Sequence, residues 1–323
     1  RSTRKGDTLY VITIPKDGGG FPKVERRCAP ASNSGAWGAS EWISAPNAPV
    51  AGDAEREACR AADGTSWFVH ELKNEGEIKS ATWMTTGLGV YELYVNGKSV
   101  GGDILKPGYT HVKKTRRSFT YDVTALLRKG RGESNFLAAE VSSGWWRDKI
   151  VNYAGEKSAF RAVLLVTYAD GTVKSYGTKA GEWKAGVAGP VTHAGIFDGE
   201  EYDARNERPF FGRADLQSAE RNDEFSGDIL PSEGGEVRLR TDKTLAPVSA
   251  YAWEGTDGAD PGKEIFGRVH KMRDVRFDGT GAVRLAKGET LVVDFGQNCA
   301  AVPAFKFRAA EGTVLTCLPG EML

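Results

Sequence analysis

Short alternating segments joined by glycine turns, with no sustained helical spacing between them, constrain this chain more than any other feature. Val90–Val95 (VYELYV) puts Tyr91, Leu93 and Val95 on one face and Val90, Glu92 and Tyr94 on the other, and Asn96-Gly97 follows at once. Asn-Gly after an apolar alternation is the strongest short hairpin signal, because both residues tolerate positive φ. Ala169-Asp170-Gly171 marks a second turn between predicted strands at 161–168 and 172–176. Further strands are predicted at 66–72, 81–84, 117–122 and 135–141, with a short helical turn at 124–127. A second series is predicted at 282–285, 290–295, 304–308 and 313–318. No stretch of about 12 residues keeps the i, i+3, i+4, i+7 apolar spacing of a helix. The predicted fold is all-β, with two or more β-sandwich (jelly-roll-like) domains in tandem. Forty glycines in 323 residues suit that many turns.

The organisation follows from the breaks. Residues 1–65 read as N-terminal strands and a leader, and 66–205 as one β-sandwich. Residues 206–244, polar and interrupted by Pro209, Pro231 and Gly234-Gly235, read as a linker or insertion. Residues 245–323 form a second β-sandwich.

Charge and composition exclude several functions. Lys plus Arg equals Asp plus Glu at 43 each, so no global field favours nucleic acid or an anionic membrane. No run of about 18 apolar residues is present to span a bilayer. The four cysteines lack CxxC spacing and only four histidines accompany them, which argues against zinc. Cys299 and Cys317 read as small buried residues of neighbouring strands, with a disulfide between them left open.

Three clusters could carry chemistry. In Trp145-Trp146-Arg147-Asp148, adjacent Trp residues on a strand would face opposite ways, one into the core and one outward. The outward ring offers a flat face for a sugar, with Arg and Asp beside it to bond hydroxyls; the alternative is two Trp packed at a sandwich edge. In 197–205 (FDGEEYDAR), Asp198, Glu200 and Asp203 could ligate Ca²⁺ through oxygen, and Tyr202 could contact a sugar. The alternative there is a loop held by internal acid–Arg pairs. Asp294-Phe295-Gly296-Gln297-Asn298 reads as a capped turn. There is no GxSxG, P-loop, GxGxxG after a strand, or HExxH, and no catalytic residue is assigned.

Taken together, GLGVYELYVNGKSVG (87–101), KPGYT (106–110), YDVTALL (121–127), GWWR (144–147) and IFDGEEYDAR (196–205) resemble the N-terminal β-sandwich domain of bacterial α-L-rhamnosidases. VDFGQN, EGT and PGE within 292–321 resemble the concanavalin-like domain that follows it, and WGASEWISAP (37–46) is similar to the segment that precedes it. The resemblance implies a non-catalytic accessory or carbohydrate-binding part of a glycoside hydrolase that acts on terminal α-L-rhamnosides with inversion. It implies a rhamnose-containing glycan as partner, a C-terminal (α/α)₆ catalytic barrel that is absent from this chain, and a secreted or periplasmic setting. Some sandwiches of the family hold rhamnose through Ca²⁺. His111-Val112 follow Thr110 here, where Asp-Tyr is frequent in the family. A free-standing carbohydrate-binding module, or the front of a polysaccharide lyase on the same chassis, are the alternatives.

Overall fold

The computed structural model describes residues 2–5, 8–13, 23–28, 37–48, 64–147, 155–196, 199–209, 215–232, 234, 237–254, 270–275, 283, 285 and 289–320. The chain divides into two compact units, Arg1–Arg238 and Leu239–Leu323.

The first unit opens with strands β1 (Ser2–Lys5), β2 (Thr8–Thr13) and β3 (Lys23–Cys28), which form an antiparallel sheet in that order. Then follow β4 (Ile43–Ser44), β5 (Ser66–Lys73), β6 (Ile78–Leu88), β7 (Val90–Val95), β8 (Lys98–Ser99), β9 (Asp103–Ile104) and β10 (Thr115–Asp122). β11 (Ser134–Ser142) leads into a one-turn helix, α1 (Gly144–Arg147). β12 (Ala159–Tyr168), β13 (Val173–Gly177), β14 (Lys184–Val187), β15 (Val191–Gly195) and β16 (Gly199–Tyr202) come next. The unit closes with β17 (Gln217–Ser218), β18 (Glu220–Arg221), β19 (Asp228–Pro231) and β20 (Val237–Arg238).

These strands build an all-β sandwich. One sheet runs β18-β4-β12-β6-β10-β19 with β13 also on β12, and the other runs β17-β14-β5-β11-β7-β8. The period-2 pattern decides which side chains meet between the sheets. Tyr91, Leu93 and Val95 of β7, Leu137, Ala139 and Val141 of β11, Trp83 of β6, and Phe160, Ala162 and Leu164 of β12 share one buried cluster. Burying an aromatic such as Trp83 removes roughly 200 Å² from water, a gross gain of about 5 kcal/mol before entropy is charged. The outer face of the first sheet is covered as well. Met84, Leu88, Ala159 and Val163 pack there against Trp37, Trp42, Trp146, Phe225 and Ile229.

The strands predicted at 81–84, 117–122, 135–141, 161–168 and 172–176 all fall on β6, β10, β11, β12 and β13, and Asn96-Gly97 turns β7 into β8. Thr124–Leu126 is a 3₁₀ turn, as predicted. The sandwich reaches beyond 66–205 on both sides. β4 pairs with β12 from the N-terminal side. From 206–244, read as linker or insertion, β17 joins β14, β18 joins β4 and β19 joins β10 in parallel. Strands of two polar residues, Gln217–Ser218 and Glu220–Arg221, are too short to show an alternation.

The second unit holds an antiparallel sheet ordered β22 (His270–Val275), β21 (Ser249–Glu254) and β23 (Thr290–Asp294). β23 is the strand predicted at 290–295. The strand predicted at 282–285 lies largely outside the described residues. Residues 304–308 and 313–318 form no strand and are exposed. Extended chain becomes a strand only against a partner edge, and no described segment supplies one. Cys299 and Cys317 are exposed free thiols instead of buried neighbours.

Candidate functional site

The Trp145-Trp146 pair sits on α1 and not on a strand. Gly144 enters α1 at φ 47°, where a Cβ would lie 2.4 Å from the Val90 nitrogen. The Ser143 carbonyl then accepts from the amides of Trp146 and Arg147, both at 3.1 Å. One helical turn separates neighbouring side chains by about 100°, so the two rings diverge without facing opposite ways. Trp146 is 1% exposed. Its Nε1 donates to the Lys157 carbonyl at 3.0 Å, and its ring meets Phe225 edge-on at 6.3 Å. It has no face to offer a ligand. Arg147 is buried too, and Asp148 lies outside the described residues.

Trp145 is half-buried at the surface, and the structure gives it a neighbour that sequence reasoning missed. Tyr109, 61% exposed, meets the Trp145 ring at 6.2 Å and 66°. Tyr109 stands at the tip of the KPGYT loop, which is pinned on both sides. Gly108 N donates to the Leu105 carbonyl at 2.8 Å, and Thr110 Oγ1 to the Thr115 carbonyl at 2.6 Å. At the base, the Lys106 side chain is 1% exposed. Its Nζ donates to Glu92 at 2.9 Å and to the Asp103 carbonyl at 2.5 Å. A tyrosine in a Pro-Gly turn, between residues with no apolar alternation, was the available signal that this ring faces solvent.

Beneath Trp146 lies a second unusual group. The Arg116 guanidinium is 2% exposed, stacks 4.8 Å from the Trp146 ring and 5.7 Å from Phe225, and leaves Nε and Nη2 without a partner. Burial pushes its pKa down to about 10. A desolvated cation with only aromatic faces for company is costly, so Arg116→Met, which keeps the stem and drops the charge, is expected to be neutral or to stabilise by about 1–3 kcal/mol. Arg116→Ala, which also leaves a hole, is expected to destabilise by about 2–4 kcal/mol. Denaturant melts of the two variants check the pair; a large loss in Arg116→Met would mean that the charge itself is needed.

The second cluster keeps to its own segment. Asp203 accepts from Arg205 Nη2 at 2.7 Å and from the Arg205 backbone N–H at 3.0 Å, which holds its carboxyl at about 2. Tyr202 is exposed on β16 and donates to Glu207 Oε1 at 2.5 Å. Glu200, also exposed, sits opposite Ala194 in the β15–β16 hairpin. Asp198 lies outside the described residues. Of the described members, Asp203 is paired with Arg205, and among the described residues no three His, Cys, Asp or Glu gather as a metal site. Internal acid–Arg pairing is what this loop shows. Glu140 of β11, opposite Glu92 of β7, is held above the usual carboxylate range, mainly by burial.

Comparison with known proteins places this architecture. Residues 76–239 match the family model of the alpha-L-rhamnosidase N-terminal domain. The chain belongs to the α-L-rhamnosidase family. The α-L-rhamnosidase of Streptomyces avermitilis is 32% identical over 292 residues, which cover 87% of this chain and 26% of that protein. A crystal structure of S. avermitilis α-L-rhamnosidase complexed with L-rhamnose superposes with a TM-score of 0.53 at 32% identity, over 58% of this chain and 19% of that one. The α-L-rhamnosidase of Aspergillus terreus, at 22% identity and a TM-score of 0.59 over 77% of this chain and 31% of that one, shares the fold. This chain therefore spans about a quarter of the length of its curated rhamnosidase relative. Among the described residues, no helix is long and apolar enough to cross a membrane.

Proposed function

We propose that this chain is an accessory, carbohydrate-contacting part of a rhamnosidase-type glycoside hydrolase, and that it holds a rhamnosyl residue against the Trp145–Tyr109 pair. The observation that carries the reading is that pair. Two aromatic rings, one from α1 and one from the KPGYT loop, stand edge to face at the surface, one of them largely exposed. Pyranose rings dock on such surfaces through their C–H faces, and 6-deoxy sugars add a methyl group to the apolar contact. The relative solved with L-rhamnose supports the choice of sugar. Hydrolysis of the rhamnoside itself is assigned to parts of the enzyme other than the residues described above. A secreted or periplasmic setting goes with a polymeric glycan substrate.

Calorimetric titration with L-rhamnose tests the proposal. Trp145→Ala is expected to weaken binding by about 1–3 kcal/mol while the thermal midpoint stays near that of the wild type, because the side chain is not part of the core. Unchanged affinity in Trp145→Ala removes the pair from the site. Trp146→Ala is uninformative for binding, since it empties the core beneath.

A further inference from the structure

The loop that carries Tyr109 and the strand by which the chain leaves the first unit meet at a single residue, Asp103. β9 (Asp103–Ile104) pairs with β20 (Val237–Arg238), with Val237 opposite Ile104 and Arg238 opposite Asp103. The Asp103 residue is 5% exposed. Its Oδ1 accepts from Arg238 Nε at 2.6 Å and its Oδ2 from the Tyr121 hydroxyl at 3.1 Å. The backbone carbonyl of the same residue accepts from Lys106 Nζ, whose other partner is Glu92. Lys106 in turn fixes the base of the Tyr109 loop through the bond from Tyr91 N to the Lys106 carbonyl at 3.0 Å. Arg238 is the last residue of the unit.

The geometry points to Asp103 as a latch that couples the Tyr109 loop to the exit strand β20, so that order at one is felt at the other. The physical basis is the burial. A buried carboxylate that loses its arginine keeps its desolvation cost, and it relaxes by drawing water into the β9–β20 contact. Relaxation there reaches Lys106 through the shared residue. By linkage, a ligand that orders the loop must also order β20. The ligand half of this inference rests on the proposed function; the coupling itself does not.

Hydrogen exchange on the whole chain tests it. Arg238→Gln removes the cation from a largely exposed side chain, and Asp103→Asn keeps the shape while removing the charge. Each is expected to speed exchange at the amides of Tyr91 and Gly108, which report the loop, about tenfold. Arg240→Gln breaks an exposed pair with Asp242 in the next segment and is expected to leave those amides unchanged. Unchanged loop exchange in Arg238→Gln and Asp103→Asn, or equal acceleration in Arg240→Gln, overturns the coupling. Saturating L-rhamnose is expected to slow exchange at 237–238 in the wild type and to lose that effect in Arg238→Gln. Binding that depends on Trp145 with no change at 237–238 keeps the proposed function and overturns the latch. No binding at all removes the proposed function, and the ligand-free comparison then decides the latch alone.

Discussion

Gly89→Ala is expected to be the most damaging single-methyl change in the first sandwich. Gly89 joins β6 to β7 at φ 130°, a region that L side chains rarely enter. A Cβ there would sit 2.0 Å from the Ser142 carbonyl oxygen and 2.9 Å from Val141 Cγ1. Neither obstacle can swing aside. Ser142 is backbone at the end of β11, paired with Val90, and Val141 is fully buried in the core. Strain at the dihedral and a clash with backbone add together, so the loss is put at about 4 kcal/mol or more. For a domain of this size that lowers the thermal midpoint by on the order of 10 °C. Scanning calorimetry of the purified variant measures it directly; a loss below about 1 kcal/mol would show that β7 and β11 can separate at this end of their pairing without cost.

A loss of similar size is expected from Asn135→Ala. Asn135 is fully buried, and its amide is completely used. Oδ1 accepts from Asn96 Nδ2 at 2.7 Å and from Arg128 N at 2.8 Å, while Nδ2 donates to Asn74 Oδ1 at 2.9 Å and to the Arg128 carbonyl at 3.0 Å. Asn74 adds bonds to the Arg128 and Gly130 carbonyls, and Asn96 adds one to Leu126. Three asparagines thus satisfy the backbone of the loop after β10, which has no ladder of its own. Removing the middle one leaves buried groups unpaired at about 1–3 kcal/mol each, and about 3–5 kcal/mol together. Asn135→Asp separates hydrogen bonding from volume. It keeps the shape but turns two donors into acceptors that face the Asn74 and Arg128 oxygens, so it is expected to be at least as damaging. An Asp variant close to wild type in urea melts would assign the effect to packing instead.

What could be read from the sequence followed the length of the element. β7, β10, β11 and β12 each run six residues or more, and β7 alternates cleanly into an Asn-Gly turn, so their presence was legible. The all-β class followed from them. The strap of β17, β18 and β19 was not legible, because two- and four-residue strands take their order from the sheet edge they join. α1 was not legible either. Four residues cannot show a helical period, and only the positive φ at Gly144 distinguishes its start from a strand end. That one turn decides which ring of the Trp pair goes where, sending Trp146 inward and leaving Trp145 to meet Tyr109. Contacts such as Asp103 with Arg238 lie far apart along the chain, and a single sequence carries no signal for them.

The parallel pairing of β19 with β10 has a consequence for biosynthesis. Thr115 to Ser118 wait for Asp228 to Pro231, so one border of the front sheet stays open until more than a hundred further residues have been made. A nascent chain leaving the ribosome cannot complete this body when its main strands emerge, only when its wrapping tail does. Until then the groove that Phe225 later fills, between Trp42 and Trp146, stands uncovered.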